Sequence, residues 1–153
     1  MNVIKSYLNR TLRNQALPSG EKKGMPGYYA FTHGEQPAWW RPEMDPQQGE
    51  VLGIYESFQG SPTDALIITQ DALVVLEDSS QKVLRYKDIA GFHRVCKEPL
   101  DEEFRVELYS GDVFPVPFRA RNGAIMDIYR FLIFARTRSQ GIPVPGSRDS
   151  KDP

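Results

Sequence analysis

The chain has 153 residues, 40% of them hydrophobic and 25% charged, which is the length and composition of one globular domain with some unpacked flanking chain. A formal charge of −1 and a pI near 6.1 exclude the overall basic surface that general binding to nucleic acid or to an anionic membrane requires. Cys96 is the only cysteine, which excludes an intramolecular disulfide and gives no sign of an oxidising compartment.

Residues 2–16 carry Ile4, Leu8 and Leu12 at i, i+4, i+8, with Val3 and Tyr7 alongside. This spacing predicts one apolar stripe on a short helix, ended by Pro18 and Gly20. No apolar core of a secretory signal precedes it, and no stretch approaches the roughly 18 apolar residues of a membrane span, so the cytoplasm is the expected compartment. In the first 24 residues five basic side chains (Lys5, Arg10, Arg13, Lys22, Lys23) stand against one acid, Glu21. A basic arm and a merely solvated helix face both fit that bias.

Residues 18–48 are rich in proline and glycine, yet they carry Tyr28, Tyr29, Phe31, Trp39 and Trp40. A disordered linker would be poor in aromatics, so an irregular segment lying against the domain through its rings is expected. Docking onto a partner would leave the same signature.

From residue 51 the period becomes that of strands, expected near 51–58, 64–69, 72–77, 82–86, 91–96, 103–109 and 113–118. Gln70-Asp71 and Ser110-Gly111-Asp112 are short enough to make hairpin turns, the second with glycine where positive φ is needed. Phe104, Val106 and Leu108 point to one face and Arg105 and Glu107 to the other, which describes a half-buried antiparallel strand. Phe114, Val116 and Phe118 repeat the pattern, while Pro115 and Pro117 confine their strand to an edge or a bulge.

After Asn122-Gly123 the period turns helical, with Ile125, Ile128, Tyr129, Leu132 and Arg136 along one side and Phe131 and Phe134 widening the apolar face. This helix has to be buried against the sheet. The polar, proline-rich end has no period and reads as disordered. The expected organisation is therefore an extension over 1–47, a domain over 48–136 and a tail over 137–153. Its fold class is α+β and mainly antiparallel: a sheet or partly open barrel of about seven strands closed by one C-terminal helix.

Chemistry has few starting points. His93 and Cys96 are three apart on one expected strand, so their side chains point to opposite faces, and no third group completes a catalytic set. Two histidines and one cysteine scattered along the chain give no zinc spacing, and no phosphate-cradling glycine loop or dinucleotide fingerprint is present. No catalytic residue, metal or cofactor is therefore expected. Glu98, Asp101, Glu102 and Glu103 form an acidic cluster between two strands, which is either a solvated loop or a patch that steers a basic partner. Trp39-Trp40-Arg41 combines the residue types that dominate binding hot spots, although the same rings can cover an open end of the sheet, and the balance leans to packing.

The run Asp64-Ala65-Leu66-Ile67-Ile68-Thr69-Gln70-Asp71-Ala72-Leu73-Val74-Val75-Leu76, followed by Tyr86-Lys87-Asp88-Ile89, resembles the strand pair and core-entering isoleucine of the pleckstrin-homology-like superfold, including its bacterial members and the related GRAM domains. The resemblance covers about residues 48–136 and implies a scaffold for recognition of phosphoinositides, peptides or proteins. Lipid-binding members place Lys and Arg in the loop joining the first two strands. Here that loop is Gln59-Gly60-Ser61-Pro62-Thr63, which argues against phosphoinositide binding. The expectation is a non-enzymatic protein-binding module using Trp39, Trp40, Arg41 and the acidic cluster. Its concrete version is a toxin-neutralising immunity protein of bacterial type, since some immunity proteins resemble this superfold. The alternative is an adaptor for a lipid or membrane surface, with Ile4, Leu8 and Leu12 of the basic N-terminal helix toward the lipid.

Overall fold

The computed structural model describes residues 3–8, 15–16, 22–23, 28–56, 64–78, 80–93, 103–117 and 124–141. Helix α1 (Val3–Leu8) is followed by the short pair β1 (Gln15–Ala16) and β2 (Lys22–Lys23), which are antiparallel to each other. A five-stranded antiparallel sheet comes next, built in chain order from β3 (Tyr28–Ala30), β4 (Val51–Glu56), β5 (Asp64–Thr69), β6 (Ala72–Glu77) and β7 (Ser80–Arg85). A 3-10 turn over Tyr86–Asp88 leads into a second sheet, ordered β10-β9-β8, of β8 (Ile89–Phe92), β9 (Glu103–Leu108) and β10 (Val113–Pro117). Helix α2 (Ala124–Gln140) closes the fold. The described strands form three sheets, of two, three and five strands, and no closed barrel.

The strand period explains why the larger sheet is covered on both sides. On one face Leu52, Tyr55, Leu66, Ile68, Leu73, Val75 and Leu84 meet the second sheet and α2 in the main core. On the other face Ile54, Ala65, Ile67 and Val74 lie beneath Trp40, Phe31, Trp39 and Met44. Strands buried on both faces read as continuous apolar runs, which is what Ala65–Ile68 and Ala72–Leu76 are. The segment after β3 is therefore a cover for the sheet, and Tyr28–Ala30 enters it as an edge strand paired to Gly53–Tyr55. Gly53 is needed there, because a Cβ would stand 2.7 Å from the Tyr28 ring.

The second sheet keeps its prolines at the rim. Pro115 and Pro117 lie on the edge strand β10, opposite Arg105 and Glu103. Gly111 turns the β9–β10 hairpin at φ +94°, and its N–H donates to Leu108 O at 2.9 Å.

Helix α2 buries Ile128, Phe131, Leu132 and Ala135 completely. Its polar side is also engaged: Arg136 donates to Ile89 O and Ala90 O at 3.0 and 2.9 Å, which satisfies carbonyls on the edge strand β8. Two boundaries differ from the sequence reading. The helix continues to Gln140, beyond the limit of 136, because the Gln140 amide reaches Ile89 O at 2.8 Å and Tyr86 O at 3.1 Å and so fixes the last turn. At the other end, helix to residue 16 is corrected by the pairing of Gln15 and Ala16 with Lys22 and Lys23. Leu12 and the tail from 142 lie outside the described residues. Of the helices in the described residues, none is long and apolar enough to cross a membrane.

Tyr86 is the largest fully buried side chain. Its hydroxyl lies 2.8 Å from Thr69 O and 2.9 Å from Ala72 O, with its single proton shared between the two carbonyls of the β5–β6 turn. Its ring meets Phe131 of α2 edge-on, with centroids 6.0 Å apart. Burial first, then the Asp71 carboxylate and Tyr28, pushes the phenol well above the ordinary 10.0.

Two outcomes follow from this packing. Leu132→Ala should lower stability by about 2–5 kcal/mol in denaturant unfolding, and an unchanged melting temperature would refute the packing of α2. Tyr86→Phe should cost about 1–3 kcal/mol at neutral pH, because two buried carbonyls lose a donor. The stability tied to the protonated phenol is fully present below pH 10.0 and is lost as pH rises through the raised folded value. Alkaline unfolding curves should therefore fall less steeply for Tyr86→Phe than for the natural chain.

Candidate functional site

The residues nominated by sequence divide into those the fold packs and those outside the described residues. Trp40 is 9% exposed and meets Phe31 edge-on at 5.2 Å, so its ring belongs to the cover over the larger sheet. Trp39 is half-buried, and its indole N–H donates to the carboxylate of Glu56. Arg41 is exposed, but its guanidinium folds back onto Ala38 O and Trp40 O at 3.0 and 2.8 Å. The two tryptophans therefore hold the cover in place, Trp40 buried and Trp39 half-buried, while the arginine faces solvent.

Glu56 is the residue that sequence reasoning missed here. It closes β4, is 3% exposed, and accepts from Tyr29 Oη at 2.9 Å as well as from Trp39. A buried carboxylate held by neutral donors keeps its charge satisfied without a cation. Burial, then the hydrogen bond and charge of Glu56, raises the Tyr29 phenol above its ordinary 10.0. Its period-2 position, in register with Ile54 on the covered face, is the only sequence signal that would have found it.

His93 follows β8, with its N–H on Arg105 O at 3.0 Å and its exposed ring 3.9 Å from the Glu107 carboxylate. Cys96, Glu98, Asp101 and Glu102 lie outside the described residues, and Glu103 is placed only as the first residue of β9. Among the described residues no group of three or more His, Cys, Asp or Glu is gathered as metal ligands would be.

The fold also assembles a feature that no stretch of sequence contains. A groove of about 480 Å³ runs between α1, the β5–β6 turn, the end of β7 and the end of α2. Arg85, Lys87 and Arg138 border it, with Asp71 as the one carboxylate and Ile4 as the apolar contribution from α1. Tyr86 sits buried between Arg85 and Lys87, so both neighbours are turned outward to solvent. Gln140 donates to the carbonyls of Tyr86, Lys87 and Ile89 and locks the same corner.

Beside that corner the β9–β10 hairpin presents Tyr109. Its ring is 64% exposed, although its hydroxyl bonds Gln140 Oε1 at 2.9 Å and its backbone N–H donates to Asp88 O at 3.1 Å. Val113, on the other strand of the hairpin, is 46% exposed.

The chain matches no protein-family model and no curated protein. The functional reading therefore stands on this geometry.

The two roles of the Trp-Trp-Arg triplet can be separated by stability. Trp39→Phe should cost about 1–3 kcal/mol, because buried Glu56 loses one of its donors. Arg41→Ala should change stability by no more than about 0.5 kcal/mol, since the residue is exposed and bonds only neighbouring backbone. Equal losses in thermal or urea unfolding would show that the cover is not held through Glu56.

Proposed function

We propose that this chain is a non-enzymatic binding module that takes a protein partner on the tip of the β9–β10 hairpin. The observation that carries the reading is Tyr109, an aromatic ring left 64% exposed while its hydroxyl and backbone are both pinned. A tyrosine held in this way offers a large amphipathic surface that loses little rotamer freedom on contact, and tyrosine is among the residues enriched at interface hot spots. Val113 extends the apolar area across the hairpin, and the turn is rigid through Leu108 N–H to Asp112 O at 2.9 Å. The likeness of the strand pattern to the pleckstrin-homology-like superfold supports a recognition role. A toxin masked by surface contact is the concrete partner this proposal names, and the acids at Glu98, Asp101 and Glu102 supply charge that would steer a basic one.

The membrane alternative loses its main support. It needs Ile4 and Leu8 toward lipid, and both are in the main core, at 5% and 0% exposure, with Tyr7 stacked on Phe134 at 4.3 Å. Helix α1 would have to leave the core before it met a bilayer.

A photo-reactive aromatic side chain placed at position 109, with the exposed Thr32 as the control position, tests the proposal in the native cell. A protein adduct formed at 109 and not at 32 is the expected result. Tyr109→Ala should keep its melting temperature and lose that partner in pull-down. Adducts of equal yield at both positions, or none at 109, would overturn the reading.

A further inference from the structure

We propose that the groove bordered by Arg85, Lys87 and Arg138 is a binding site for a small phosphate-bearing anion. The inference rests on the groove alone and is independent of how the hairpin is used.

The first observation is charge left uncompensated. Elsewhere three surface cations find carboxylates, Lys5 meeting Glu50 at 3.0 Å, Lys82 meeting Glu77 at 3.6 Å and Arg130 meeting Asp127 at 3.7 Å, while Arg41 and Arg136 bond backbone carbonyls. Among the described residues the side chains of Arg85, Lys87 and Arg138 have no such partner, although Asp71 borders the same space. Three cations against one carboxylate leave a local surplus in a chain whose formal charge is −1. The carbonyl end of α2 contributes about half a negative charge, which balances part of Arg138 and leaves most of the surplus in place.

The second observation is that the like charges are held together by buried structure. The Tyr86 hydroxyl on Thr69 O and Ala72 O fixes the chain between Arg85 and Lys87, and the Gln140 amide fixes the carbonyl of Lys87 two residues beyond Arg138. With the backbone fixed, the cations can separate only by rotating their side chains, and an anion between them would relieve their mutual repulsion.

The residue types and the space define that anion. The planar guanidinium forks of Arg85 and Arg138 each match two oxygens of a phosphate, and Lys87 adds a point charge. Ser139 and Gln48 border the groove as neutral donors, and the Asp71 carboxylate can accept a hydroxyl hydrogen from the organic part of a ligand. A volume of about 480 Å³ lies in the range of small-molecule sites and accommodates a phosphate ester or diphosphate with a small body.

Inorganic pyrophosphate titrated into the full chain by calorimetry, at physiological salt, is the test. Binding with a raised melting temperature is expected for the natural chain. Arg85→Gln and Arg138→Gln, both at exposed positions, should remain folded and each weaken binding about tenfold to a hundredfold, the loss of a charge-assisted hydrogen bond. Asp71→Asn should tighten it, and Arg130→Gln, on a cation outside the groove, should leave it unchanged. Should Arg138→Gln prove unstable, Lys87→Gln gives the same reading from the other wall. Phosphatidylcholine vesicles carrying phosphatidic acid distinguish the source of the phosphate. Sedimentation that pyrophosphate competes away supports the site with a lipid headgroup as ligand, and pyrophosphate binding without sedimentation supports it with a soluble phosphate ester. No heat with pyrophosphate, or binding equal in the natural chain, Arg85→Gln and Arg138→Gln, would overturn the proposal.

Discussion

The fold turns on one hydroxyl. Tyr86 lies where the chain leaves the five-stranded sheet for the three-stranded one, and its hydroxyl reaches back to the carbonyls of Thr69 and Ala72 at the β5–β6 turn. Thr69 Oγ1 supports the same turn, 2.7 Å from Gln48 O and 3.0 Å from the N–H of Ala72. Because the ring also packs edge-on against Phe131, one side chain joins both sheets to α2. In water that hydroxyl would be solvated at little cost; in the core it must keep its protein partners, so the position of the crossover is set within the tolerance of a hydrogen bond.

A second buried polar group does comparable work on the far side of the larger sheet. The segment from Phe31 to Met44 has no long strand or helix to lock it, only two 3-10 turns, and an irregular cover held by apolar contact alone would be free to slide. Glu56 supplies direction. Its carboxylate needs donors in fixed places, and Tyr29 from β3 and Trp39 from the cover provide them. Apolar burial brings the segment down; the hydrogen bonds decide where it stops.

Much of this was legible in the residues. The alternation of Phe104, Val106 and Leu108 placed β9, the prolines placed β10 at an edge, and the Gln70-Asp71 turn placed the β5–β6 hairpin, since each rests on local geometry that a strand or turn imposes. The apolar spacing of Ile128, Leu132 and Phe131 located the buried side of α2 for the same reason. Strand β3 was not legible, because three residues between proline-rich stretches carry too short a period, and only pairing with β4 makes them a strand. The last turn of α2 was hidden similarly: Ser139 and Gln140 look like the start of a polar tail, and their helical state depends on carbonyls more than 50 residues away. The expected sites fared differently from the expected fold, since nothing in Trp39-Trp40-Arg41 announces that a buried acid will take up the indole N–H.

The groove shows why charge maps drawn along a sequence mislead. Read in order, the runs of biased charge are the one before residue 24, with five basic residues against one acid, and the acids between 98 and 103, so both would be sought as patches made by neighbours in the chain. Arg85, Lys87 and Arg138 attract no attention in that view, because Arg85 and Lys87 stand among residues of mixed charge and Arg138 lies outside both runs. They meet only because β7 ends where α2 ends, and α2 ends there because Tyr86 and Gln140 fix the corner from two sides. The same hydrogen bonds that carry the stability of the crossover therefore also set the spacing of the cations. A change that loosened the Tyr86 hydroxyl would act on the groove without touching any residue that borders it, so stability and ligand affinity are linked through one buried phenol.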